Sequence, residues 1–172
     1  MSLEPQDAAH PTKRLSGFSS WHPDCYQRAV AFLTDPIGRL LVFDHVDADA
    51  GTQVPAGGIY ESESPESAVQ RELLEETGLE SAILVRKLGE AWNRSEPGNV
   101  PFGLEEQILH VFHLRLDRPS PLEEWDWEER SGTDVVEHRF AFRWVTLDDA
   151  TELLWPNQAM WVTAVRLSLH HL

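Results

Sequence analysis

Glu72, Glu75 and Glu76 fall within five residues of one another. On a helix, 100° per residue brings all three inside an arc of roughly 100°. Clustered carboxylate oxygens on a rigid element suit a hard divalent cation that retains several waters, Mg²⁺ first and Mn²⁺ second. Such an ion neutralises developing charge and helps generate hydroxide from water, while a second carboxylate takes the proton. Glu72 and an acid from a later loop both remain open as that base.

The element that must carry these acids is well marked. Ser64 reads as a helix N-cap, Pro65 takes the first helical position and Glu66 sits in the first turn, where acid is favoured. Gly78 reads as a left-handed C-cap, so a helix is predicted over about Pro65 to Thr77. Pro65, Val69 and Leu73 form an apolar stripe beside the acids, which therefore border the buried face. The charge is badly placed for helix stability. Glu72 and Glu76 are a like-charged i,i+4 pair, costing about 0.2–0.5 kcal/mol in an isolated helix. Glu75 and Glu76 also lie in the last turn, where the macrodipole favours cations. A solvated acidic face is the plain alternative, but misplaced charge between two good caps favours function. Upstream, Gly57 and Gly58 let the backbone turn sharply or approach a ligand closely.

Gly57, Glu63, Arg71-Glu72-Leu73, Glu75-Glu76 and Gly78-Leu79 stand at the spacing of the Nudix hydrolase signature, and the chain resembles that MutT-like family. Nine fixed or restricted positions over 23 residues are filled. The resemblance implies an α/β/α sandwich with a mixed sheet, a central box helix and a C-terminal helix. It implies hydrolysis of the diphosphate linkage in a nucleoside diphosphate joined to another group, by water attack at phosphorus. It makes Glu72, Glu75 and Arg71 the catalytic set, with Arg71 holding Glu72 in position through a guanidinium–carboxylate contact. Glu72, Glu75 and Glu76 become the Mg²⁺ ligands, and Gly57, Gly58 and Glu63 surround the cofactor. Glu63 has two readings: a structural acid bonded to loop amides, or a water-mediated metal contact.

The whole chain is consistent with that outline. Its 172 residues fit one domain with a substantial core. A loose arm is expected over residues 1–20 and a single domain over 21–172. Fourteen basic against 29 acidic residues give a net charge of −15, which argues against nucleic acid or an anionic membrane as the main partner. The expected partner is a small-molecule nucleotide diphosphate, with a homodimer left open. Cys25 is the one cysteine, so no internal disulfide can form; with no spanning run and no signal peptide, a cytoplasmic setting is expected.

Strands are expected over Arg28–Thr34 and Leu40–Phe43, joined by an Asp35–Gly38 turn, then a short one over Gln53–Pro55 leading into the glycines. Further strands follow over Ala82–Trp92, Gln107–Leu116 and Val135–Val145. Asn93–Leu104 reads as loop. Leu116 to Asp134 is too long for a hairpin turn and reads as a lid or binding loop. Thr146 is expected to cap a short helix over Leu147–Leu154, and a longer helix spans about Pro156 to Leu169.

Other acids are weaker candidates. Glu105, Glu106, Glu123, Glu124, Glu128 and Glu129 read mostly as solvated charge, with Glu137 and Glu106 offered as the acid outside the signature that completes a metal shell. The eight histidines show no zinc spacing. His110 and His113 fall on opposite strand faces, one packed and one exposed. Trp144 and Trp161 are expected in the core. Trp92, Trp125 and Trp127 are placed to stack on a base, with edge packing as the plain alternative.

The substrate is less defined. Pro97 and Pro101 come later than the spacing of ADP-ribose-cleaving relatives, and no tyrosine follows Tyr60. Nucleoside triphosphates remain by default. The rival reading is a Nudix-fold nucleotide-binding or regulatory module without turnover. Such regulators usually carry a DNA-binding domain, for which this length and charge leave little room. An isomerase would need an active-site cysteine, and Cys25 precedes the first strand.

Overall fold

The computed structural model describes residues 25–94, 106–130 and 136–171. The expected arm over 1–20, Pro97, Pro101, Glu105 and the side chain of Glu137 lie outside the described residues. Seven strands form one sheet: β1 (Tyr26–Thr34), β2 (Leu40–His45), β3 (Ala56–Gly58), β4 (Ala82–Arg94), β5 (Glu106–Leu116), β6 (Glu124–Arg130) and β7 (Val136–Val145). Their order is β4-β5-β1-β2-β7-β6, with β3 also paired to β1. The β1–β5 pair is parallel and the other pairs are antiparallel, so the sheet is mixed.

Strand β1 is central because it is apolar on both sides. Ala29, Ala31 and Leu33 meet Val69 and Leu73 of helix α1 (Pro65–Thr77). Val30 and Phe32 point the other way, towards Leu147 and Ala150 of α2 (Leu147–Leu153) and Val165 of α4 (Val162–Leu169). The short α3 (Pro156–Ala159) joins the last two. Helices therefore cover both faces, which is the expected α/β/α sandwich. Within the turn after β1, Asp35 accepts from the backbone N–H of Ile37 and Arg39 and from Arg39 Nε, while Gly38 takes a φ of 89°.

Four expectations need correction. The short strand expected over Gln53–Pro55 lies over Ala56–Gly58 instead, so of the two readings of the glycines the sharp turn is not met: Gly57 and Gly58 lie within β3, opposite Ala29 and Arg28. The stretch after Leu116 is not an open lid, because it contains β6, paired along β7. The C-terminal helix is broken, α3 ending at Ala159 and α4 starting at Val162. His110 and His113 are both buried, since β5 is covered on each face. His113 lies between the hydroxyls of Thr34 and Ser168 at 2.9 and 2.7 Å, and burial lowers its pKa to about 4.

Candidate active site

Helix α1 forms over the predicted residues. Ser64 Oγ accepts from Ser67 N–H at 3.1 Å, Pro65 occupies the first turn, and Gly78 closes the helix with a φ of 72°. Three of its four acids then part ways. Glu72 and Glu76 are buried, each 7 % exposed, on the side facing β3. Glu75 is half exposed and its Oε2 accepts from Arg71 Nη1 at 2.9 Å.

Arg71 is the hub that orders this end of the helix. Its Nε and Nη2 engage both oxygens of Glu63 at 2.8 and 2.7 Å, a bidentate contact. Nη1 donates to Glu72 Oε1 at 2.7 Å, and Nη2 also reaches the Gly58 carbonyl at 2.8 Å. The guanidinium lies 4.1 Å from the centre of the Tyr60 ring. Glu63 additionally accepts from Tyr60 N–H. Burial pushes the Glu63 carboxyl up, but Arg71 and that N–H outweigh it and hold the group below its usual range. The structure thus places Glu63 as a clamp for Arg71 and for a loop amide.

Gly57 has a steric reason to be glycine. A Cβ built there would sit 1.9 Å from the Glu72 carboxyl carbon. The missing side chain is the space that the Glu72 carboxylate occupies. Next to it, Ala56 N–H donates to Glu76 Oε2 at 3.0 Å.

The group that sequence reading missed is Glu129. On β6, alternation puts Trp125, Trp127 and Glu129 opposite Phe142, Phe140 and His138 of β7. Trp125 Nε1–H donates to the Thr77 carbonyl and Trp127 Nε1–H to the Glu75 carbonyl, at 3.2 and 2.7 Å. These are among the helix's last carbonyls, left without a partner in the helix. The next inward residue along the strand is Glu129, and a register shift follows it at Arg130. Carboxylate oxygens of Glu72, Glu76 and Glu129 all lie within 4.8 Å of one another. Trp-x-Trp-x-Glu was a readable period-two signal, concealed by the length of the segment. Glu106 starts β5 and takes a contact from Cys25 Sγ, apart from this group.

The three carboxylates form one wall of a cleft of about 290 Å³ that Gly57, Gly58, Arg28, Tyr26, Phe43, His45, His138 and Phe140 also line. Burial raises the Glu76 carboxyl well above its ordinary range, with Glu72 and Glu129 adding to it. Burial also raises Glu72, although Arg71 opposes the shift. Two buried carboxylates so close to a third call for a cation between them, and an all-oxygen donor set fits a hard divalent ion. Arg28 is the one permanent cation among the described residues lining the cleft. Its Nη2 donates to the Ala56 carbonyl at 2.7 Å, while its buried Nε–H has no hydrogen-bond partner.

Trp125 and Trp127 are thus edge-packed, with Trp125 stacked on Phe142 at 5.2 Å between ring centres. Trp92 is exposed on β4, outside the cleft lining.

Comparison with known proteins agrees with this geometry. The family model described as NUDIX domain matches residues 26–165. An RNA pyrophosphohydrolase of Saccharophagus degradans is 37% identical over 112 residues, covering 55% of this chain and 66% of that protein. Nudix hydrolase 26, chloroplastic, of Arabidopsis thaliana is 41% identical over 144 residues, covering 70% of this chain and 65% of its own. The chain therefore spans just under two thirds of the length of both relatives. Among solved structures, a C. elegans Ap4A hydrolase binary complex aligns with a TM-score of 0.63 at 12% identity, over 86% of this chain and 99% of that one. The E. coli dihydroneopterin triphosphate pyrophosphohydrolase aligns with a TM-score of 0.60 at 15% identity, over 79% and 91%. These two likenesses concern the fold alone. With its signature intact and the family model matching residues 26–165, the chain belongs to the NUDIX domain family.

Proposed function

We propose that this chain is a metal-dependent pyrophosphohydrolase acting on a nucleoside diphosphate derivative or a nucleoside triphosphate. The observation that carries the reading is the convergence of Glu72, Glu76 and Glu129 within 4.8 Å at one wall of the cleft. These residues would hold Mg²⁺ or Mn²⁺, which would supply charge neutralisation on the diphosphate and a more acidic water. Glu75 stays a candidate ligand through rotation away from Arg71, and Glu72 a candidate proton acceptor. Arg71 acts as a positioning residue: it fixes the Glu72 carboxylate that fills the space above Gly57. Arg28, the guanidinium lining the cleft, suits a phosphate oxygen.

The names of the relatives support a second substrate class, a phosphoanhydride at the end of an RNA. The net charge of −15 weighs for a small nucleotide over a long polyanion. One panel separates the readings: nucleoside triphosphates, nucleoside diphosphate conjugates, dinucleoside polyphosphates and a 5′-triphosphorylated RNA, each with millimolar Mg²⁺. Release of a nucleoside monophosphate from a small substrate, abolished by EDTA, supports the first. Turnover of the RNA alone supports the second, and binding without turnover the regulatory module.

A further inference from the structure

Beside the carboxylate wall the cleft is lined by rings. Phe43 and Phe140 are buried and pack edge to face at 4.7 Å between centres. On this base sit two imidazoles, His45 and His138, whose centres are 5.9 Å apart. His45 lies 5.2 Å and His138 5.9 Å from the Phe140 ring. The phenyl rings are core, whereas His138 is exposed and His45 half-buried. The register explains why this cluster faces the acids. His138 stands directly across from Glu129, and His45 directly across from Phe140. Carboxylates and imidazoles therefore form neighbouring walls of one cleft.

We propose that His45 and His138 form the aromatic subsite that stacks on the base of a nucleotide whose phosphates lie at Glu72, Glu76 and Glu129. The inference rests on the reading of the cleft as the nucleotide site and assigns the end that selects the base. Planar side chains already seated on packed rings lose little freedom when a further ring stacks on them. An anion-binding role suits His45 less. Burial lowers the pKa of His45 and His138 beside it pushes the same way against the opposing Asp44, which favours the uncharged imidazole. A neutral ring stacks on a base and offers a phosphate no charge. Trp125 and Trp127 cannot take this role while their N–H groups cap α1.

The test is calorimetric titration of the full chain, with Mg²⁺ present, using AMP, GMP, CMP and UMP against ribose 5-phosphate. At least one monophosphate should bind about tenfold more tightly than ribose 5-phosphate. In His138→Ala this advantage should fall about fivefold, with ribose 5-phosphate unchanged, whereas His138→Phe should keep it within about twofold. His45→Asn should reduce it too, and circular dichroism checks that each variant folds. If wild type binds bases and ribose 5-phosphate equally, the subsite is overturned and the cleft's reading stands. Equal weakening of both ligands in His138→Ala, or loss in His138→Phe as large as in His138→Ala, also overturns stacking. If wild type binds none of the five ligands, the reading of the cleft falls and the subsite with it.

Discussion

The indole Nε1–H of Trp127 donates to the backbone carbonyl of Glu75 at 2.7 Å, joining the edge strand β6 to the last turn of α1. Two residues further along the strand, Glu129 meets Glu72 and Glu76. The Trp127 side chain packs where a Cβ on Gly78 would collide with it, 2.6 Å from the six-membered ring. Helix capping and placement of the third carboxylate are thus one contact. Trp127→Phe keeps the ring and removes the donor. It should cost about 0.5–1.5 kcal/mol in urea unfolding and weaken Mn²⁺ binding measured by titration. A change in substrate affinity with metal affinity intact would point instead to a base-stacking role.

Gly57→Ala tests the space above it. A Cβ 1.9 Å from the Glu72 carboxyl carbon cannot coexist with the present Glu72 rotamer. Displacement of that carboxylate by an ångström or so should cut kcat/KM by about 10²-fold, with folding intact by circular dichroism. Near-normal turnover would show that Glu72 works from another position.

Glu76→Gln separates a metal ligand from a structural acid. The carboxylate is buried beside two others, and a carboxamide oxygen can still accept from Ala56 N–H. The metal-free variant should therefore melt at the same temperature as wild type or higher, and gain less on adding Mg²⁺ because only the folded state presents the cluster. A clear fall in the metal-free melting temperature would mark Glu76 as structural.

Acid sensitivity should come partly from a residue outside the cleft lining. His113 has a folded pKa of about 4 against an ordinary value of 6.5. Between those values the unfolded chain binds more protons, so its contribution is complete above pH 6.5 and is lost as pH falls towards 4. The loss by pH 4 is about 3 kcal/mol. His113→Gln should flatten the pH dependence of unfolding free energy over this window by about that amount. Parallel curves for the two proteins would show that His113 charges freely in the fold.

Local signals made much of this legible. Ser64, Pro65 and Gly78 set both ends of α1, because caps act within one turn of chain. Thr146 marked α2 in the same way. The alternating residues of β5 placed one strand of the sheet. What stayed hidden depends on neighbours distant in sequence. Gly57 is glycine because of Glu72, which is 15 positions away and met only when β3 pairs with β1. Glu129 looked like one acid among several, since its meaning requires β6 to lie along α1. The two tryptophans beside it stay open between base stacking and edge packing in the sequence, because the carbonyls they cap belong to a helix some 50 residues earlier. His45 and His138 come together only through the β2–β7 pairing and carry no motif of their own.

Whether Glu72, Glu76 and Glu129 hold a metal ion together is decided most directly by titrating Mn²⁺ into wild type, Glu129→Gln and Glu106→Gln, following the free ion by electron paramagnetic resonance. If the three carboxylates share the ion, Glu129→Gln weakens binding by about 10- to 100-fold, a loss of roughly 1.4–2.8 kcal/mol. Glu106→Gln, at the start of β5 in contact with Cys25, leaves it unchanged. Wild-type affinity in Glu129→Gln, or an equal loss in Glu106→Gln, would contradict the site.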